Sequence, residues 1–191
     1  MDEPAASAPP VPAPGRVIVL TGPPGAGKST VASMLASGLR LSVHLHCDDF
    51  WRYIRHGRIA PYLPQAHRQN QTVIDALAQA AVSYAAGGYQ VICDGVIGPW
   101  FIDVFCAAAI TRGIGLDYVV LRPDLATTLR RAASPADPAL TGPGPVRSLH
   151  SQFTGIGAFE AHVLDSTRLG PHATADAVLH GLAQGTYRLA P

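Results

Sequence analysis

Gly22-Pro23-Pro24-Gly25-Ala26-Gly27-Lys28-Ser29, followed by Thr30, is the stretch on which the fold turns. It fits the pattern G-x-x-x-x-G-K-[ST] at every fixed position. Glycines in such a loop let the backbone wrap an anion with its N–H groups pointing inward. A helix opening near Lys28 adds the positive end of its dipole. Lys28 then reaches the β- and γ-phosphates of a nucleotide, and the Ser29 hydroxyl ligates Mg²⁺. The expected nucleotide contacts are Gly22, Pro24, Gly25, Ala26, Gly27, Lys28, Ser29 and Thr30. The alternative, a Gly-rich turn without a ligand, fits the flanks poorly. Val17-Ile18-Val19-Leu20 is a short apolar run of the kind a buried parallel strand shows, and Val31, Met34, Leu35 and Leu39 have helical spacing. The chain's one lysine, against thirteen arginines, occupies the one position that demands lysine.

The alternation of short apolar runs and helical stretches continues outward. Strands are expected at Ser42–His46, Tyr89–Cys93, Leu116–Leu121 and Val163–Leu164. Helices are expected over about 65–86, ending at Gly87-Gly88, then from Pro99 to about 111, over 124–132 and over 173–183. Strands alternating with helices predict an α/β fold, a parallel sheet with helices on both faces. Residues 1–15 are rich in proline and alanine and read as a disordered leader; residues 16–191 read as one domain. Residues 134–145 hold four prolines and two glycines; they read as a plain surface loop or as a mobile lid over about 132–146.

Composition narrows the function classes. The 191 residues carry a net charge of +1, which supplies no basic field for nucleic acid or an anionic membrane surface. No apolar run reaches membrane-span length, and the N-terminus lacks the basic and apolar regions of a secretory signal. Cys47, Cys93 and Cys106 form no CxxC pair and read as reduced core thiols. Together these features point to a cytoplasmic location. The eight histidines show no metal-ligand spacing, so no zinc site is expected.

The scarce acids are informative. In an open α/β sheet, ligands bind beyond the carboxyl ends of the strands. The second strand ends in Cys47-Asp48-Asp49, which places two carboxylates facing the γ-phosphate. One of them orients an acceptor hydroxyl and takes its proton; the other caps a helix starting near Phe50. Asp94 ends the third strand, either ordering Mg²⁺ or forming an Asp-Gly turn with Gly95. A motor-type ATPase has a glutamate near that position to activate water. Glu3 and Glu160 are the only glutamates here, and neither is in place. The sole asparagine, Asn70, precedes Gln71, which excludes an N-K-x-D guanine-reading element.

Four segments carry a resemblance to a known family: the phosphate loop, His46-Cys47-Asp48-Asp49-Phe50, Cys93-Asp94-Gly95, and the arginines Arg130 and Arg131. The chain resembles P-loop small-molecule kinases of the chloramphenicol phosphotransferase, gluconate kinase and zeta-toxin type over about residues 16–185. The resemblance implies the P-loop NTPase fold with a five-stranded parallel sheet and a mobile lid. The motif and the strand-end carboxylate call for ATP and Mg²⁺ as cofactors, with Ser29 and Asp94 at the metal. The resemblance also implies a carboxylate base aligned with Asp48, Asp49 being the rival, and a lid arginine closing over ATP. Arg130, Arg131 or Arg147 would neutralise charge on the transferred phosphoryl group.

The expected reaction is transfer of the γ-phosphate to a hydroxyl of a small molecule. Trp51, Trp100, Arg52, Arg55 and Asp49 are candidates for its binding. For the tryptophans the alternative is core packing; for the arginines it is a solvated helix face. The polar run His67–Gln71 is expected at the surface. An antibiotic or nucleoside-type product suits the aromatic walls. A sugar or metabolic acid suits the gluconate kinase likeness. An ATP-binding regulatory protein without an acceptor is the alternative class.

Overall fold

The computed structural model describes residues 13–133 and 142–189. Five parallel strands form the sheet: β1 (Arg16–Thr21), β2 (Ser42–His46), β3 (Gln90–Gly95), β4 (Gly115–Leu121) and β5 (Val163–Leu164), in the order β2-β3-β1-β4-β5. Strand β1 lies at the centre because it is apolar on both sides. Val17 and Val19 face one layer of helices and Ile18 and Leu20 the other. All four are buried, as period-two alternation in a two-sided sheet requires.

On one face pack α3 (His67–Ala86) and α4 (Pro99–Arg112). Helix α3 buries Val73, Ile74, Leu77, Ala78, Ala81, Val82 and Ala85, one stripe at helical spacing. On the other face pack α1 (Lys28–Ser37) and α7 (Pro171–Gln184). Tyr118 of β4 is wholly buried, and its hydroxyl donates to the carbonyl of Ile97 at 2.9 Å. The N–H of Ile97 donates to Thr21 Oγ1, also at 2.9 Å. These two bonds fix the turn that follows β3.

The C-terminal residues close the sheet beyond the short β5. Leu189 N–H donates to Leu116, and Tyr118 N–H to Tyr187. Buried Asp117 holds this closure through Arg16 at 3.1 Å and Arg188 at 3.2 Å.

The expected strands and long helices recur within a few residues, and the differences are local. Helix α2 (Cys47–Arg52) opens directly at the end of β2, three residues before the expected start near Phe50. Neither Asp48 nor Asp49 caps it: the N-cap is His46, which makes no side-chain cap bond. Gly15 N–H donates to Ala85 at 2.8 Å, so the ordered domain begins before Arg16.

Helix α5 (Leu125–Ala132) is capped by the Asp124 side chain on Thr127 N–H. Helix α6 (Pro143–Gln152) opens on a proline in the first turn, where the missing N–H costs nothing. The expected lid over about 132–146 therefore has helical ends, and residues 134–141 lie outside the described residues. The expected leader, through residue 12, does too. Among the described residues, no helix is long and apolar enough to cross a membrane.

Candidate nucleotide and acceptor site

The loop joining β1 to α1 takes a shape that only its glycines permit. Gly22 has φ +142°, and a Cβ there would run into the carbonyl oxygen of Leu121. Gly25 has φ +81°, and a Cβ would meet the Thr128 carbonyl of α5 at 2.5 Å. The loop is thus seated between the end of β4 and α5. Gly27, left-handed, forms the N-cap of α1. Ala26 is buried and its N–H donates to Pro23, while Ser29 and Thr30 open the helix. Lys28 Nζ donates to the Pro23 carbonyl at 3.0 Å, folded back over the cradle.

Period-two alternation on β3 turns Val91 and Cys93 toward α3 and α4, and Ile92 and Asp94 toward α1. Asp94 is fully buried, and Ser29 Oγ donates to its Oδ2 at 2.5 Å. Strand β2 pairs with β3 so that Leu45 lies beside Cys93 and His46 beside Asp94. His44 and His46, two apart, share the α1 side. His44 Nε2 lies 2.7 Å and His46 Nδ1 2.9 Å from the same oxygen, Asp94 Oδ1. Burial pushes the Asp94 carboxyl upward, but hydrogen bonds from His44, His46 and Ser29 outweigh it. They hold the carboxyl well below its ordinary range. The bond to Asp94 raises His46 above its ordinary value against partial desolvation, and Asp48 and Asp49 add to the rise.

This pair stands in a chain whose histidines were read as showing no metal-ligand spacing. His44, His46 and Asp94 bring three ligand atoms within 4.8 Å of one another. The legible signal was H-x-H on a strand, which puts both rings on one face.

Asp48 and Asp49 occupy the first turn of α2, both about half exposed. Asp49 Oδ1 accepts from Arg52 at 2.9 Å, one turn along. Asp48 Oδ2 lies 3.9 Å from His46 Nε2, so the His46 ring stands between Asp94 and Asp48. Arg55 is exposed beyond α2.

Trp51, expected at a pocket wall, lies in the core instead. It is 7% exposed, and its Nε1–H donates to Asn70 Oδ1 at 2.9 Å. Asn70 is therefore buried, not at the surface as expected, and its amide donates to the Pro61 carbonyl. Gln69 clamps the same loop through both backbone groups of Ile59. Trp100, in contrast, is 47% exposed. Its ring lies over Gly98 and against Phe101 and Phe153.

The arginines before residue 134 divide. Arg131, expected in catalysis, donates to the carbonyls of Ser166 and Leu169 at 3.3 and 3.1 Å. In this conformation it ties α5 to the loop after β5, with Nη2 shared between the two carbonyls. Arg130 is exposed and reaches Thr127 Oγ1 at 3.1 Å. Arg147 is exposed on α6. Arg122, at the end of β4, makes a two-pronged pair with Glu160 at 2.9 and 2.8 Å and donates to Phe153. Glu160, the domain's one glutamate, is thereby engaged away from the phosphate loop.

A family model described as an AAA domain matches residues 17–139, more than half the chain. The chain belongs to the AAA-domain family. No curated protein matches it in sequence.

Solved structures share the fold across nearly all of this AAA-domain chain. A gluconokinase of Sinorhizobium meliloti is 18% identical with a TM-score of 0.67, covering 90% of this chain and 93% of that one. The tunicamycin resistance protein of Deinococcus radiodurans is 22% identical with a TM-score of 0.62, covering 93% and 99%. The APS kinase CysC of Mycobacterium tuberculosis, in complex with AMPPNP and APS, is 22% identical with a TM-score of 0.64, covering 90% and 99%. The chain shares their fold.

Proposed function

We propose that this AAA-domain chain is an ATP-dependent phosphotransferase whose acceptor is a hydroxyl of a small molecule. The observation that carries the reading is the pair of carboxylates at adjacent strand ends. Asp94 is buried and held on Ser29 beside the phosphate loop. Asp48 is half exposed at the end of the next strand. One serves the nucleotide, and the other is open to an incoming hydroxyl.

Lys28 leaves the Pro23 carbonyl and takes the β- and γ-phosphate oxygens, while the loop N–H groups cradle the rest. Ser29 Oγ and Asp94 Oδ2 are hard oxygen donors in contact, a set that suits Mg²⁺ and would hold it. Bound Mg²⁺ supplies neutralisation of charge on the β- and γ-oxygens. Asp48 accepts the acceptor's proton as its oxygen bonds to the γ-phosphorus. The β–γ bridging bond breaks, and ADP leaves with that electron pair. Arg130 or Arg147, both exposed near residues 134–141, is the candidate to meet the phosphoryl charge.

The exposed Trp100 and the cations Arg52 and Arg55 support a hydroxylated acceptor with a flat or anionic part. Likeness to the tunicamycin resistance protein favours a nucleoside-type antibiotic, and likeness to the gluconokinase a sugar acid. The test is a panel of both classes with Mg·ATP, read by mass for one added phosphoryl group. A product in either class supports the reading. ADP formation that no acceptor stimulates would leave a nucleotide-binding protein without a small-molecule acceptor.

A further inference from the structure

We propose that His44, His46 and Asp94 form a second divalent-cation site, rich in nitrogen and suited to Zn²⁺ or Co²⁺ rather than Mg²⁺. It shares Asp94 with the nucleotide's metal position but uses the other carboxylate oxygen. Oδ2 faces Ser29, and Oδ1 faces the two imidazoles.

The geometry is set by the sheet. Parallel register places His46 beside Asp94, and the period of two brings His44 to the same side. The two nitrogens lie 2.7 and 2.9 Å from Oδ1, and all three ligand atoms fall within 4.8 Å of one another. A tetrahedral ion with bonds of about 2.0–2.1 Å separates its ligands by about 3.3 Å. Small ring rotations open the two short edges to that spacing. The rings are about a quarter to a third exposed, which leaves an entry path and room for water at a fourth position.

Two of the three ligands, Asp94 and His46, have a polar group on their far side. Ser29 Oγ holds the free oxygen of Asp94. Asp48 Oδ2 lies 3.9 Å from the remote nitrogen of His46. On binding, His44 Nε2 and His46 Nδ1 become lone-pair donors. In the neutral rings the proton moves to the other nitrogen, which for His46 points toward Asp48. Imidazole with one carboxylate suits late first-row ions, whereas Mg²⁺ prefers oxygen alone. The competing account is that two imidazoles merely fix the Asp94 rotamer.

The experiment titrates Co²⁺ and then Zn²⁺ into the full chain, stripped of metal and nucleotide. The expected result is one saturable ion per chain with visible Co²⁺ ligand-field bands. Zn²⁺ should shift the imidazole ¹⁵N signals of two histidines out of eight. His44→Asn and His46→Asn should each weaken Co²⁺ by more than the about 10–100-fold that loss of an outer partner costs. No saturable binding, binding unchanged in both variants, or unmoved His44 and His46 signals would each overturn the site. The NMR readout on the unmodified chain decides the matter if a variant fails to fold. Mg·ATP binding measured on the same preparation tests the nucleotide reading separately.

Discussion

Asp94 and Asp48 end neighbouring features of the same sheet edge, yet they live in different surroundings. Asp94 is fully buried and touched by Ser29, His44 and His46. Asp48 is half exposed, with His46 Nε2 3.9 Å from its Oδ2. The phosphate loop matches the first: its backbone is seated closely between β4 and α5. On the proposed reading, the acceptor side matches the second, with Arg52, Arg55 and Trp100 all open to solvent. The shape of that loop is set by the chain's own packing. On that reading, the exposed side is where specificity varies on a shared fold.

Lys28 belongs to that loop, and its loss gives the largest effect expected there. Lys28→Ala should lower phosphotransfer by about 10³-fold, the scale of a missing preorganised donor. Thermal unfolding should be nearly unchanged, because the loop shape rests on glycines and backbone. Steady-state turnover with circular dichroism on the same sample checks this. A folded variant with near-normal turnover would remove the distinction between the loop and the acceptor side.

The smallest expected effect concerns the clasp behind Trp100. Arg122 holds Glu160 and the carbonyl of Phe153, whose ring supports Trp100. The Arg122 bonds, then the Ile156 N–H, lower the Glu160 carboxyl from 4.5 to about 2. A depressed carboxylate stabilises the fold above its unfolded value and loses that contribution as pH falls through its folded value. Glu160→Gln should therefore be slightly less stable than the parent at pH 7. The gap should close as pH falls from about 4.5 toward 2. Its size is small, since exposed pairs are screened. Melting temperatures of both proteins across that range check it; a gap that stays constant would assign the stabilisation to something other than this carboxylate.

Much of this was legible in the chain and some was not, for physical reasons. The phosphate loop declares itself because each fixed residue has a local job. Strands β1, β3 and β4 declare themselves as apolar runs between breakers. Helix α2 was misplaced by three residues because it starts without a side-chain cap. Helix α6 was obscured by Pro143 and Pro145, which read as breakers but sit in its first turn. Trp51 was read from its place after a strand; its burial depends on Asn70, nineteen residues away. His44 and His46 meet Asp94 only through the β2–β3 register, about fifty residues distant in sequence. Arg131 was assigned to catalysis by its neighbours, whereas the loop after β5, which no local pattern places, takes its hydrogen bonds.

The central claim is that the open carboxylate does the chemistry while the buried one serves the nucleotide. Single-turnover transfer of labelled γ-phosphate, with ATP affinity measured in parallel, tests it directly on Asp48→Asn and Asp49→Asn. The account predicts that Asp48→Asn binds ATP normally and transfers phosphate about 10²–10⁴-fold more slowly. Asp49→Asn, which loses only a surface pair with Arg52, should stay within a few fold of the parent. A dead Asp49→Asn beside an active Asp48→Asn would move the base by one residue. Full transfer by both variants would contradict the account, because no carboxylate at the end of β2 would then be needed.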